Sequence, residues 1–389
     1  MPTPSIVVLG HKDHGKSTFL GRLLFETNSV PADKVQTIKE IDAEAGRPFE
    51  WAHLLDSFKE EREQEMTYDT ASVFVNGRDG ALYVFIDVPG HSELVHQMIS
   101  GASRADMAIL MVSAKEGIDE MSVGHLMLAE FLGLEKLIVA VNKMDEFGYE
   151  EAAFSGIKEK VEKILVGKFS AEDVHYIPLS AREGENITKA SSKMQWYEGS
   201  SVFEKTEEII GGMKPVSLPL RAVVQDVYIR AGNRIAAVSV KSGEMKRGEK
   251  IVALPSGKVF AADKLLSVSG DETQSVKAGE NAGIFAEKEW EISRGTIIAP
   301  ENNRPNFAKD ADSEIFLFEN FKPNEAATVE CGSLNASQGL IPSAAPNKIQ
   351  KLKLNLSSPV LFDKEETFLN KFVIKQGGDI IGVGRIKDF

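Results

Sequence analysis

The sequence predicts an α/β domain with a mostly parallel sheet, followed by two small antiparallel β-barrel domains. Strand-like and helix-like segments alternate along the first half of the 389-residue chain, as a parallel sheet covered by helices requires. After the Gly-Gly-Met-Lys-Pro stretch at 211–215, short apolar runs separated by Ser-Gly and Arg-Gly turns are typical of small barrels. We expect domains at residues 1–212, 216–302 and 305–389, the last one a shortened barrel.

The first domain opens with a phosphate-binding loop. Ile6 to Leu9 are typical of a buried strand, apolar residues at helical spacing follow Ser17, and G-x-x-x-x-G-K-S lies between them. Backbone N–H groups of such a loop and of the following helix cradle phosphates. We expect Lys16 to reach the β- and γ-phosphates and Ser17 to bind Mg²⁺. The predicted nucleotide-contacting residues of this loop are Gly10, His11, Lys12, Asp13, His14, Gly15, Lys16, Ser17 and Thr18.

A guanine-reading motif follows a later apolar run. In Asn142-Lys143-Met144-Asp145, the Asp145 carboxylate can accept from both the N1–H and the N2–H₂ of guanine, and adenine offers no such donor pair. Lys143 is predicted to lie along the base, and Asn142 to hold the surrounding backbone. Ser180 and Ala181, after another strand-like run, are predicted to contact the guanine oxygen through backbone N–H groups.

The third element is Asp-Val-Pro-Gly-His at 87–91, which ends the strand-like run 82–86. We expect Asp87 to hold Mg²⁺ through water and the Gly90 N–H to contact the γ-phosphate. Four elements in this order, each at a strand end, predict GTP and GDP as the ligands, with Mg²⁺.

Together these motifs resemble the translation-factor class of GTPases. Within it the chain is similar to elongation factor 1-alpha, elongation factor Tu and the GTPase subunit of bacterial sulfate adenylyltransferase, over residues 1 to about 300; Glu61 to Gln64 and Met194 to Gly199 support this. The resemblance implies a P-loop GTPase domain that hydrolyses GTP. It implies that His91 orients the attacking water and that Thr67 closes on Mg²⁺. The implied catalytic residues are His91, Thr67 and Lys16, and the implied metal ligands are Ser17, Thr67 and Asp87.

Three positions depart from the family pattern. Lys12 stands where valine is usual, Met66 where isoleucine is usual, and Glu65 where glycine is usual. Lys12 has three possible roles: a cation acting at the γ-phosphate, a partner of Glu65 that holds the switch closed, or a solvent-facing side chain. We expect the trigger of hydrolysis to differ from that of an elongation factor.

Three functions fit these residues. The favoured one is a GTPase coupled to sulfate adenylyltransferase, whose partner is the catalytic adenylyltransferase subunit. Glu61 to Gln64 and 291–295 favour this function. His14 opposes it, because that GTPase subunit commonly has an acidic residue at this position. The alternative is an elongation factor that carries aminoacyl-tRNA to the ribosome, favoured by 225–228 and 369–374 but opposed by the shortened third barrel. A divergent regulatory GTPase with another protein partner is the third.

Composition limits the partners and the compartment. The formal net charge of -13 argues against nonspecific nucleic-acid binding by long-range attraction, although it allows a local basic patch. The single cysteine, Cys331, excludes an intrachain disulfide and favours a reducing, cytoplasmic location. No apolar run approaches membrane-spanning length, so we expect no membrane partner.

Overall fold

The chain forms two compact units, the first ending at residue 214 and the second beginning at residue 215. In the computed structural model, the described residues are 3–46, 48–57, 72–88, 105–131, 133–166, 168–213, 218–230, 233–286, 291–318, 320–323, 325–331, 335–340, 346, 348–363 and 368–388.

The first unit is built on a six-stranded sheet. Its strands are β1 (Ser5–Leu9), β2 (Ser72–Asn76), β3 (Leu82–Asp87), β4 (Met107–Ser113), β5 (Leu137–Asn142) and β6 (Val174–Pro178). Their order is β2-β3-β1-β4-β5-β6; β2 runs antiparallel to β3, and the other pairs are parallel. The helices are α1 (Lys16–Glu26), α2 (Ala32–Glu44), α3 (Glu120–Phe131), α4 (Glu151–Leu165) and α5 (Val202–Gly212), with a helical segment at 51–57.

Burial explains this arrangement. All residues of β1, β4 and β5 are buried, which is the pattern of strands whose two faces are both covered. On α1, the spacing of Phe19, Leu20, Leu23 and Leu24 places four fully buried side chains on one face, in the same core as residues of β1 and β4. Each such side chain contributes about 1.5–3 kcal/mol on burial. The helix that follows the phosphate loop is therefore held firmly against the sheet.

The second unit consists of curled antiparallel sheets. Its strands are β7 (Arg221–Arg230), β8 (Asn233–Ser242), β9 (Glu244–Lys246), β10 (Lys250–Leu254), β11 (Lys258–Ala261), β12 (Leu265–Leu266), β13 (Glu272–Thr273), β14 (Ser275–Lys277), β15 (Asn281–Ala286), β16 (Ile297–Pro300), β17 (Asn306–Leu317), β18 (Ala326–Cys331), β19 (Asn335–Leu340), β20 (Ile349–Phe362), β21 (Lys371–Gln376) and β22 (Asp379–Asp388). The sheet orders are β11-β10-β16-β7-β8-β15-β12-β13, β14-β9 and β19-β18-β21-β22-β17-β20.

This architecture confirms the predicted fold class of an α/β domain followed by antiparallel β domains. Two boundaries are defined by the structure. Gly211 and Gly212 are the last residues of α5, whose start carries a capping box of Ser201 and Glu204. Asn306 opens β17. The domain bounds themselves stay a prediction.

Among the described residues, no helix combines the length and the hydrophobicity that crossing a membrane demands.

A buried ion pair connects the start of β7 to the end of β20. The Arg221 side chain is fully buried, and its Nε donates to Asp363 Oδ2 at 2.7 Å. Its other nitrogens donate to Leu220 O at 2.8 Å and to the backbone and side-chain oxygens of Asn303 at 3.0 and 2.7 Å. The guanidinium is thus surrounded by acceptors, and removing it would leave the Asp363 carboxylate buried without its cation.

Arg221→Met is expected to lower the unfolding free energy of the second unit by about 3–5 kcal/mol, because one partner of a buried pair loses its countercharge. The matched control is Arg247→Met, which breaks the exposed pair with Glu272 (3.2 Å) and is expected to cost less than about 1 kcal/mol. Urea unfolding followed by circular dichroism measures both. Equal losses in the two variants would contradict this account of the pair.

Candidate nucleotide-binding site

The phosphate loop takes a conformation that only glycine allows at two positions. Gly10 and Gly15 have φ values of 129° and 86°. A Cβ at Gly10 would lie 2.4 Å from Met111 O, and one at Gly15 would lie 2.4 Å from Asn142 Nδ2. Between them, Lys12–His14 forms one 3₁₀ turn, and α1 begins at Lys16. The neighbouring loops are therefore packed directly against the glycines of the motif.

Lys16 is folded back over its own loop. It is 5% exposed, and its Nζ donates to Gly10 O at 2.7 Å and to His11 O at 3.1 Å. These carbonyls hold the ammonium at the centre of the loop, where the motif requires a cation for the phosphates. Ser17 and Thr18 follow in the first turn of α1, and both are partly exposed.

His14 is anchored in the sheet below the loop. Its Nδ1 lies 3.0 Å from Met111 O, and since a carbonyl only accepts, Nδ1 carries the proton. Burial lowers the pKa of the His14 imidazole, although the hydrogen bond to Met111 and the Asp119 carboxylate act in the opposite direction. His14 is therefore neutral at physiological pH. His11, Lys12 and Asp13 lie on the outer side of the same turn, where Lys12 and Asp13 are exposed.

Asn142 joins three loops. At the end of β5 it is 2% exposed; its Nδ2 donates to His14 O at 2.9 Å, and its Oδ1 accepts from Ala181 N at 2.9 Å. One side chain thus ties the phosphate loop to the Ser-Ala loop after β6. This is the contact geometry behind the predicted structural role of Asn142.

The predicted base-reading residues lie together beside the hydrogen bonds of Asn142. Ser180 Oγ donates to Asp145 Oδ1 at 2.6 Å, which fixes the carboxylate relative to the Ser-Ala loop. Lys143 adopts a left-handed conformation with φ 66°, and its Nζ lies 3.2 Å from Glu116 Oε1. The Met144 N–H donates to Leu179 O at 3.2 Å, so the backbones of the two loops are also joined.

Asp87 ends β3 next to the phosphate loop. It is 8% exposed and lies level with Val8 in the parallel pairing of β1 and β3. Asp87 and Ser17 are therefore at the same edge of the sheet, where ligands of such sheets bind. Three other predicted residues, Thr67, Gly90 and His91, lie outside the described residues, as do Glu65 and Met66.

Two partners of the site were not predicted from the sequence. Glu116 pairs with Lys143, and the carbonyl of Met111 both orients His14 and contacts Gly10. The sheet order could have located them. Because β4 lies between β1 and β5, residues near its carboxyl end lie between the phosphate loop and the base-reading loop.

These features define a nucleotide-binding protein of the P-loop class with a guanine-type second loop. Residues 1–228 match the family described as "Elongation factor Tu GTP binding domain". The chain belongs to this family of translation-factor GTPases; it binds guanine nucleotide and hydrolyses GTP.

Similar proteins extend the match beyond the first unit. Elongation factor 1-alpha of Natronomonas pharaonis is 31% identical over 99% of this chain and 97% of its own length. Elongation factor 1-alpha of Methanoculleus marisnigri is 31% identical over 100% of this chain and 97% of its own length. These relatives favour the elongation-factor alternative over the sulfate adenylyltransferase interpretation that the sequence analysis favoured.

Two solved structures share the fold. The Saccharomyces cerevisiae Ski7 GTPase-like domain bound to GDP and inorganic phosphate has a TM-score of 0.65 at 16% identity, covering 99% of this chain and 97% of that chain. A bacterial selenocysteine-specific elongation factor has a TM-score of 0.55 at 19% identity, covering 99% of this chain and 58% of that chain. At these identities the similarity concerns the fold alone.

Asn142→Ala is expected to weaken the binding of GDP and of GTP at least tenfold. The substitution removes the hydrogen-bond partner of His14 O and of Ala181 N. Each buried polar group without a partner costs about 1–3 kcal/mol of folding free energy. Titration with fluorescent nucleotides measures both affinities. The control is Asn186→Ala, which removes an equally buried amide that bonds Pro178 O and Ser191 N. If both variants lose similar stability and Asn142→Ala shows no selective loss of nucleotide affinity, the proposed role of Asn142 in joining the loops is wrong.

Proposed function

We propose that this GTPase is an elongation factor of the 1-alpha type, which binds aminoacyl-tRNA in its GTP form and brings it to the ribosome. The observation that carries the proposal is the extent of the match: proteins named elongation factor 1-alpha align with nearly all of this chain and with 97% of their own length. The alignment with these relatives therefore includes the second unit in addition to the nucleotide-binding unit. This proposal places the protein in the cytoplasm and replaces an adenylyltransferase subunit by tRNA as the partner.

Nucleotide binding follows from the groups already in place. The Lys16 ammonium and the N–H groups at the start of α1 supply positive charge for the phosphates. The Asp145 carboxylate, held by Ser180, is the acceptor for the two guanine donors. Rejection of adenine follows, because adenine lacks the two donors that guanine offers to this carboxylate.

Mg²⁺ fits the donor set of the site. The hydroxyl of Ser17 and the buried carboxylate of Asp87 are oxygen ligands, which Mg²⁺ prefers, and they lie at the same edge of the sheet. When bound, Mg²⁺ would neutralise charge on the phosphates. We also assign to Thr67 the closing of the switch and to His91 the orientation of the attacking water, as the family pattern implies. Phosphoryl transfer to water needs this positioning more than covalent chemistry.

Asp145→Asn is expected to weaken GDP binding at least 100-fold and to strengthen binding of xanthosine diphosphate. Asparagine lacks the second acceptor for guanine but can donate to the oxygen that xanthine carries at C2. Competition titrations against a fluorescent nucleotide measure both constants. Asp173→Asn, which affects an aspartate paired with Lys136 away from the site, is the control. Unchanged GDP affinity in Asp145→Asn would remove this residue from base recognition.

The tRNA proposal predicts binding that depends on both the nucleotide and the amino acid. With a non-hydrolysable GTP analogue bound, affinity for aminoacyl-tRNA is expected to be at least tenfold higher than with GDP, because a switch must bind its client preferentially in one state. Filter binding measures it, with deacylated tRNA as the control. Equal affinity for all four combinations would contradict the carrier function. Nucleotide-dependent capture of an adenylyltransferase subunit instead would restore the other interpretation.

A further inference from the structure

A second cluster of ligating side chains lies beside the phosphate loop. It consists of His11, His14 and Asp119, and one donor atom from each lies within 4.8 Å of the other two. His11 Nε2 is 3.9 Å from Asp119 Oδ2, and the two imidazole rings have centroids 5.5 Å apart. Asp119 immediately precedes α3, so the cluster joins the loop after β4 to the loop after β1. Asp119 is not among the predicted nucleotide-contacting residues.

His14 is prepared as a neutral nitrogen ligand. Its Nδ1 hydrogen bonds to Met111 O, which leaves Nε2 as the nitrogen with a lone pair. The side chain is almost fully buried, so this hydrogen bond holds the ring in one orientation. A backbone carbonyl behind a histidine is the usual outer contact of a metal-ligating imidazole.

His11 has a carboxylate in the corresponding position. Its Nδ1 lies 3.6 Å from Asp13 Oδ2 and 3.4 Å from the Asp13 backbone N, from which it accepts a weak hydrogen bond. A cation on Nε2 would place the proton on Nδ1, so the weak bond from the Asp13 N–H would be given up and the Asp13 carboxylate, now 3.6 Å away, would have to approach to become the acceptor. A carboxylate behind the ring is a usual outer contact of a metal-ligating histidine.

Asp119 completes the donor set. Its Oδ1 accepts from Ser122 N at 2.8 Å, which leaves Oδ2 as the oxygen that faces His11. The hydrogen bond from Ser122 N holds the carboxylate in one orientation.

We propose that His11, His14 and Asp119 bind a zinc ion. Two imidazole nitrogens and one carboxylate oxygen form a ligand set that zinc accepts, with a fourth position open to water. Zinc–ligand bonds of about 2.0–2.2 Å in a tetrahedron place the donor atoms about 3.4 Å apart, so the cluster must contract by about 1 Å. Imidazole ligands select zinc over Mg²⁺, which prefers oxygen.

Zinc in this place would act on the nucleotide loop. His11 belongs to the loop whose carbonyls hold Lys16, so a metal bond to His11 restrains the same backbone that receives the phosphates. Zinc affinity and nucleotide affinity are consequently linked, and each ligand must change the affinity of the other by the same factor. The zinc site does not depend on the tRNA proposal.

The test uses the 389-residue protein without nucleotide and compares Asp119→Asn with Glu120→Gln. Glu120 is the adjacent exposed carboxylate, so both variants lose one negative charge at the same helix start. Equilibrium dialysis with Zn²⁺ is expected to show one equivalent bound to the parent protein and to Glu120→Gln. Asp119→Asn is expected to bind it at least tenfold more weakly.

Co²⁺ reports the geometry independently. The intense visible absorption of tetrahedral Co²⁺ is expected for the parent protein and for Glu120→Gln, and its loss is expected for Asp119→Asn. Should Asp119→Asn fail to fold, His11→Gln gives the same readout, since His11 lies on the outer side of its turn. Equal Zn²⁺ stoichiometry and affinity in the parent and Asp119→Asn proteins, or no stoichiometric zinc binding by the parent, would overturn the proposal.

Discussion

The amide of Asn142 is the contact on which the nucleotide site depends. The phosphate loop follows β1 and the base-reading loop follows β5, and β4 separates them by two strand spacings, about 10 Å. Parallel pairing of strands aligns their carboxyl ends but does not connect the loops beyond them. Asn142 makes that connection by donating to His14 O and accepting from Ala181 N. Because both bonds are buried, water offers no replacement for either, and the three loops keep one relative position.

Lys16 and Lys143 supply local positive charge for a nucleotide in a protein whose net charge is negative. The chain has a formal net charge of -13, yet Lys16 follows directly on the phosphate-loop turn and Lys143 lies in the base-reading loop. The Lys16 ammonium donates to the carbonyls of Gly10 and His11, which carry no net charge. Lys143 is paired with the exposed carboxylate of Glu116. Local placement, not net charge, determines what this site attracts.

The sequence predicted those parts of the site that rest on local motifs. The glycines at 10 and 15, the lysine between loop and helix, and the Asn-Lys-x-Asp run all lie within short segments whose chemistry is set by residue type and spacing. Glu116, Met111 and Asp119 could not be predicted in the same way. Their contacts arise because β4 pairs with β1 and β5 in one particular register, and such pairing depends on the whole core. The end of α5 is similar, since the helix includes Gly211 and Gly212 although glycine is a poor helix former.

The segment after β4 links the two halves of the site. Ser113 is fully buried, its Oγ accepts from Lys115 N and Glu116 N at 3.2 Å, and its carbonyl accepts from Gly117 N at 2.8 Å, so the turn is rigid. On this turn Glu116 holds Lys143 of the base-reading loop, and Asp119 lies beside His11 of the phosphate loop. Through this turn, the cluster of His11, His14 and Asp119 is connected to the base-reading loop by a continuous set of contacts.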